Sequence, residues 1–248
     1  MDKTTERSLW LLIPAGILVI GSFVFGKLIN KLWYHKRPPK LDSYEINWIY
    51  RFLPYFKQLD SNRQVIFCQQ LAMELTQKDF SSMAEKKMPE ELKLMALGPA
   101  IRLQLLYTNP EAHHYHRIIF YHHAFPSPSK QYLHISETEH EDGVLIFASD
   151  ALELAHANPD LYFNAALYEW SSLFIKLNKI SELYPIESST AWLVIQQILG
   201  TEKAKLEKYM GQINLDELSI LVYCYLMYPE KLLAQLPDFF HIIKTRID

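Results

Sequence analysis

Glycine is scarce in this chain, and so is cysteine. Seven glycines occur in 248 residues, and three of them, Gly16, Gly21 and Gly26, fall within the first 26. The remainder is therefore glycine-poor, which favours helices joined by short connections over a sheet-rich domain full of tight turns. The two cysteines, Cys68 and Cys224, lie far apart, each in an apolar helical stretch, and read as buried reduced thiols. There is no phosphate-cradling glycine loop and no Cys-x-x-Cys pair. Charge of one sign is also lacking: the formal net charge is −3, and basic residues outside one short collar are dispersed, so no global field points to nucleic acid. What is present is apolar, 49% of the chain against 21% charged, a balance that fits a folded protein.

Part of that apolar content is concentrated. From Ser8 to Gly26 run 19 residues without a formal charge, and apolar character resumes at Leu28 and Ile29. Nineteen helical residues reach about 28 Å, close to the hydrocarbon thickness of a bilayer. The stretch predicts one transmembrane helix, with residues 8–29 in the membrane. A cleaved signal peptide is the rival, but the flank before it mixes both signs and no small-residue cleavage site follows Phe25. Lys27, Lys31, Lys36, Arg37 and Lys40 follow the span, against Lys3 and Arg7 before it. That asymmetry places the carboxy-terminal domain in the cytoplasm. Trp10 at one end, and Trp33 with Tyr34 at the other, sit where interfacial anchors belong, beside Lys36 and Arg37. The collar is a topology signal, and it would also be drawn to anionic headgroups.

Residues 1–40 thus read as anchor and spacer, closed by the stiff Arg37-Pro-Pro-Lys40, and residues 41–248 as the domain. Ile49, Phe52, Leu53 and Phe56 recur at helical spacing, and a second helix follows a cap signal at Ser61. Pro89-Glu-Glu opens a third, which Gly98-Pro99 should bend or split. Three β-prone runs come next, 116–125, 130–136 and 143–149, with an acidic turn over Glu137–Asp142. They predict a small antiparallel sheet between two helical halves. Asn158-Pro-Asp160 predicts a helix start. Phe163, Ala166, Leu167, Trp170, Leu173, Phe174 and Leu177 then trace one apolar stripe. Tyr168, Glu169, Ser172 and Lys176 fall off it, on the face expected to look into a cleft. Further helices are expected at Ala191–Leu199, Leu215–Met227 and Leu232–Lys244.

The stripe passes through "NAALYEWSSLF", residues 164–174, where a glutamate stands in the middle of a helix. With "LPYF", "IIFYHHAFPSP", "GVLIFASDAL" and "LSILVYCYLMYPEKLLAQLPDFF", this order of parts resembles the Mlc titration factor A family of bacterial zinc metallopeptidases over about residues 48–245. The resemblance implies a mainly α, metallopeptidase-like α+β fold with a small sheet beside a zinc-binding helix. The family's helix reads His-Glu-Phe-Ala-His, with an Asn four residues before it. Carried over, Glu169 takes the general-base position and Asn164 the flanking one. The two histidine positions fall on Tyr168 and Ser172, and the third ligand, a Glu in the family, falls at Tyr223.

A catalytic zinc needs about three protein ligands with one position open to water. Serine stays protonated at neutral pH, and tyrosine, with an ordinary pKa of about 10, binds metal only as a costly phenolate. Without zinc the bound water is not activated and Glu169 has no nucleophile to make. The implied function is that of an inactive relative: no zinc, no catalytic residue, and a former groove lined by Tyr168, Ser172 and Tyr223 that binds another protein at the bacterial inner membrane. The alternative is an active peptidase with a rebuilt metal site. The histidines at 113–116 and 122–123, with His134 or His140, are the raw material for one, although they also read as ordinary exposed or hydrogen-bonded histidines. Ser171 or Ser172 as a hydrolytic nucleophile lacks the glycine elbow that would expose it.

Overall fold

Asp42 opens the domain with a capping box. Its carboxylate accepts from the Glu45 N–H at 2.8 Å, and Glu45 accepts from the Asp42 N–H at 2.7 Å. This begins α1 (Ser43–Phe52). The computed structural model describes residues 39–83, 88–128 and 131–247. The expected span over residues 8–29, with Trp10, Trp33, Tyr34, Lys36 and Arg37 at its borders, lies outside them. Among the described residues no helix is long and apolar enough to cross a membrane. Residues 41–248 separate as one unit with its own core.

Prolines and caps decide where the helices begin and end. The apolar run through Phe56 breaks at Leu53, since Pro54 disfavours a helical conformation in the residue before it, and α2 (Pro54–Lys57) follows. The cap of α3 (Ser61–Gln77) is Asp60, whose carboxylate accepts from the Arg63 N–H at 2.9 Å, and not Ser61. After β1 (Asp79–Ser82), α4 (Glu90–Arg102) continues through Gly98-Pro99 as one helix. Gly98 serves packing there: a Cβ would stand 2.7 Å from the Tyr55 hydroxyl and 3.0 Å from Leu53. A short α5 (Leu105–Thr108), a 3-10 turn at Pro110–His114, β2 (Arg117–Tyr121), β3 (Ser136–Glu139) and β4 (Val144–Ala148) lead to α6 (Ser149–Ala157).

Asn158 caps the end of α6 and does not start a helix. The next one, α7 (Ala165–Leu177), begins at Asn164, whose side chain accepts from the Leu167 N–H at 3.0 Å. Then come α8 (Ile180–Leu183), α9 (Ser188–Leu199), α10 (Lys203–Met210) and α11 (Glu217–Met227). The single helix expected over 232–244 is two, α12 (Pro229–Gln235) and α13 (Pro237–Ile247), divided where Pro237 follows Leu236.

The sheet is mixed, not antiparallel. Its order is β1-β2-β4-β3, with β1 parallel to β2, β2 parallel to β4, and only β3 antiparallel to β4. The difference comes from β1, whose four residues Asp-Phe-Ser-Ser are too short and polar to read as a strand. The 130–136 run contributes a single bridge, Phe125 with His134, and its strand begins only at Ser136. Glu137 to Glu139 therefore lie in β3, and only the residues after them turn.

Helix α7 is the axis of the packing. The predicted stripe is buried from Phe163 to Phe174, and Trp170 is fully enclosed with its indole N–H donating to the Ala96 carbonyl of α4 at 2.7 Å. The opposite face is buried as well, through Tyr168, Glu169, Ser171 and Ile175. A helix covered nearly all round is a core helix, so the open cleft expected beside Glu169 is replaced by packing against β3 and the segment after α10.

Candidate functional site: the buried Glu169 carboxylate

Glu169 projects from the middle of α7 toward β3, and both of its oxygens are taken. The Ser136 hydroxyl donates to Oε1 at 2.7 Å and the Thr138 hydroxyl donates to Oε2 at 2.7 Å. Ser136 and Thr138 are two apart on β3, so both point to the same side of the sheet and bracket the carboxylate. The Gln212 amide is the third donor, at 3.4 Å from Oε1, and it also reaches the Ser136 carbonyl at 2.6 Å and the Ser136 hydroxyl at 3.2 Å. The residue is 5% exposed. A buried carboxylate is tolerated when several donors converge on it, since each hydrogen bond to a charged acceptor contributes about 1.5–3 kcal/mol.

Gly211 is what brings Gln212 into place. Its φ of +66° closes α10, and a Cβ there would lie 2.1 Å from the Leu133 carbonyl oxygen. Only glycine permits both the left-handed turn and that approach. The contact is fixed by the Ile135 N–H donating to the Met210 carbonyl at 3.1 Å.

The positions that the resemblance assigns to zinc ligands have other partners. The Tyr168 oxygen accepts from the Asp216 N–H at 3.1 Å. Burial pushes the Tyr168 phenol above its ordinary pKa, and the neighbouring Glu169 charge pushes it further. Tyr223 is enclosed and stacked on Phe163 at 4.2 Å between ring centres. Burial raises its pKa too, with the Asn164 backbone hydrogen bond opposing. Both shifts run against the phenolate that a metal would need. Ser172 is half-buried and Lys176 exposed. Ser171 is fully enclosed, and its hydroxyl has no hydrogen-bond partner among the described residues, a base included.

No family model matches the chain, and no curated protein matches it in sequence. The geometry of these residues is therefore what bears on function.

Asn164 has a structural task that accounts for its place four residues before Tyr168. Besides capping α7, its amide donates to His156 Nε2 at 3.3 Å. His156 in turn donates from Nδ1 to the Leu152 carbonyl at 2.8 Å, which fixes the tautomer. Burial drives the His156 pKa down to about 4, against a smaller opposing effect of that backbone bond.

Several of the histidines considered for a rebuilt metal site have separate backbone or side-chain partners. His114 ends the 3-10 turn and His116 stands just before β2. His114 Nε2 donates to the His140 carbonyl at 2.8 Å, and His116 Nδ1 donates to the His114 carbonyl at 2.8 Å. His140 Nδ1 meets the Tyr115 hydroxyl at 2.9 Å. His123 pairs with Asp150 at 2.7 Å, and buried His134 donates to the Tyr132 carbonyl at 3.0 Å and contacts Glu137 at 3.2 Å. Among the described residues no three His, Cys, Asp or Glu side chains are gathered to hold a metal.

Ser136, Thr138 and Gln212 are not marked as site residues by any motif in the sequence. Hydroxyls two apart in a strand carry no signature of their own. Gly211, one of four glycines beyond residue 26, was the only local flag for Gln212.

Proposed function

We propose that the protein is a membrane-tethered pseudopeptidase, held at the bacterial inner membrane by residues 8–29, whose cytoplasmic domain works by binding another protein, as a scaffold or as a subunit of a membrane complex. The observation that carries this reading is the state of Glu169. A general base must reach the proton it abstracts, directly or through one water, and here both carboxylate oxygens are engaged by Ser136, Thr138 and Gln212. The neighbouring tyrosines give further support, because burial keeps their phenols protonated. Exposed apolar side chains such as Ile46 and Tyr50 on α1, and Val65 and Ile66 on α3, offer contact surface for a partner. The charge asymmetry around residues 8–29 supports the cytoplasmic orientation.

The test is Glu169→Gln in the full-length chain, with partners captured from solubilised membranes by chemical cross-linking and identified by mass spectrometry, alongside a peptidase assay on unfolded protein substrates. The reading expects the same cross-linked partners for both forms and no hydrolysis from either. Zinc-dependent hydrolysis abolished by Glu169→Gln would replace it with an active peptidase.

A further inference from the structure

His134, in the segment between β2 and β3, is a buried imidazole with an acceptor at each nitrogen. Nδ1 lies 3.0 Å from the Tyr132 carbonyl, which can only accept, so the Nδ1 proton is committed there. Nε2 lies 3.2 Å from a Glu137 carboxylate oxygen on β3, and the two side chains are 0% and 3% exposed. With no proton in that contact, two lone pairs would face each other away from water, which is costly in a buried place. One proton therefore belongs to the contact, on Nε2 or on the carboxyl.

The same segment supports the wall around Glu169. The His134 backbone exchanges two hydrogen bonds with Phe125, at 2.9 and 3.0 Å, and its ring meets the Phe125 ring edge-on at 4.5 Å between centres. The Leu133 carbonyl and the His134 Cα are the atoms against which Gly211 closes, and the Ile135 N–H donates to the Met210 carbonyl. Next in the chain is Gln212, the amide that reaches Ser136 and Glu169. Successive residues of a strand point to opposite faces. Glu137 thus meets His134 on one side of β3, while Ser136 and Thr138 hold Glu169 on the other.

Few other titratable groups surround the contact. Tyr132 is in the same segment, its ring centre 6.3 Å away, and Tyr121 is stacked on Phe125 at 4.7 Å. Glu139 stands two along β3 from Glu137, and Glu207 and Lys208 on α10 share an open depression with Tyr132. Among these side-chain types only histidine ordinarily changes charge between about pH 5 and 8.

We propose that the His134–Glu137 contact is a proton-held latch. With its proton it fixes the 132–135 segment against β3 and the end of α10; loss of the proton as pH rises releases that segment and lets Gln212 leave the Glu169 carboxylate. The latch acts on the enclosure of Glu169 and does not depend on the pseudopeptidase reading.

The experiment is hydrogen exchange read by mass spectrometry on the full-length protein in mild detergent, from about pH 6 to 8.5, with observed rates divided by the intrinsic rates at each pH. Peptides covering 132–136 and 210–214 should lose protection as pH rises, by up to about tenfold for each pH unit, the limit for one linked proton, while α4 keeps its protection. Glu137→Gln places an amide N–H opposite a neutral Nε2 and should hold the segment without pH dependence. His134→Gln, whose amide donates to Glu137 at every pH, is the second variant and should be flat as well. Histidines elsewhere, such as His123 beside Asp150, are present in both variants, so a slope that came from them would persist. Protection independent of pH in the parent overturns the proposal, and so does the parent's slope surviving in either variant.

Discussion

Ser136→Ala is the most informative single change, because it removes one donor from the Glu169 carboxylate, and with it the longer 3.2 Å bond from the Gln212 amide, while the Thr138 bond and the Gln212 bond to the Ser136 carbonyl stay in place. The hydroxyl lost stands at 2.7 Å, and the one donor remaining on Oε1 is the more distant Gln212 amide at 3.4 Å. Glu169 is 5% exposed, so water does not readily replace the missing bond. A hydrogen bond to a charged acceptor contributes about 1.5–3 kcal/mol, which sets the expected cost near 2 kcal/mol. For a domain of this size that is a fall of about 4–8 °C in Tm, readable by circular dichroism. Introduced beside Glu169→Gln, where the acceptor is neutral and Ser136 can rotate, the same change should cost only about 1 kcal/mol. The cycle would then give a coupling of about 1 kcal/mol between the two residues. A fall below about 1 °C together with no coupling would mean that Glu169 is not held as described, and the case against a working base would fail with it.

Three other outcomes follow from the same geometry. His156 has a folded pKa of about 4 against an ordinary 6.5, so its neutral form is what the fold accommodates. Its contribution is complete above pH 6.5 and is lost as pH falls from there toward 4, a change of roughly 3 kcal/mol at about 1.4 kcal/mol for each pH unit; denaturant midpoints across that range should flatten in His156→Gln. Gly211→Ala should destabilise by at least about 1–3 kcal/mol through its left-handed φ alone, and the clash with the Leu133 carbonyl should pull Gln212 off Ser136, seen as earlier amide exchange in β3 and the 211–213 turn. Tyr168→Phe removes the acceptor of the Asp216 N–H at the start of α11 and should cost about 1 kcal/mol in a thermal melt.

How much of this was legible beforehand differs from element to element. The stripe from Phe163 to Phe174 announced α7 because apolar spacing is set by helical geometry alone. The mixed sheet was not legible, since β1 is held by its parallel pairing with β2 and has almost no strand character of its own. Helix starts are ambiguous in the sequence where two residues can cap, Asn158 or Asn164 and Ser61 or Asp60, and the structure uses Asn164 and Asp60. Spacing cannot say which side chain reaches the N–H. The polar face of α7 suggests a cleft because polarity normally marks solvent, whereas here Ser136, Thr138 and Gln212 supply the donors from elements distant in sequence. Those partners can be named only once the chain is folded.

The central proposal is that Glu169 is a hydrogen-bonded core carboxylate and not the base of a zinc centre. The measurement that tests it most directly is zinc per chain, by elemental mass spectrometry on the purified full-length protein after equilibration with zinc and removal of the excess. The account predicts a value well below one. Near one zinc per chain, lost in Glu169→Gln or in a substitution of Tyr168 or Tyr223, would contradict it and establish a metal centre at this helix.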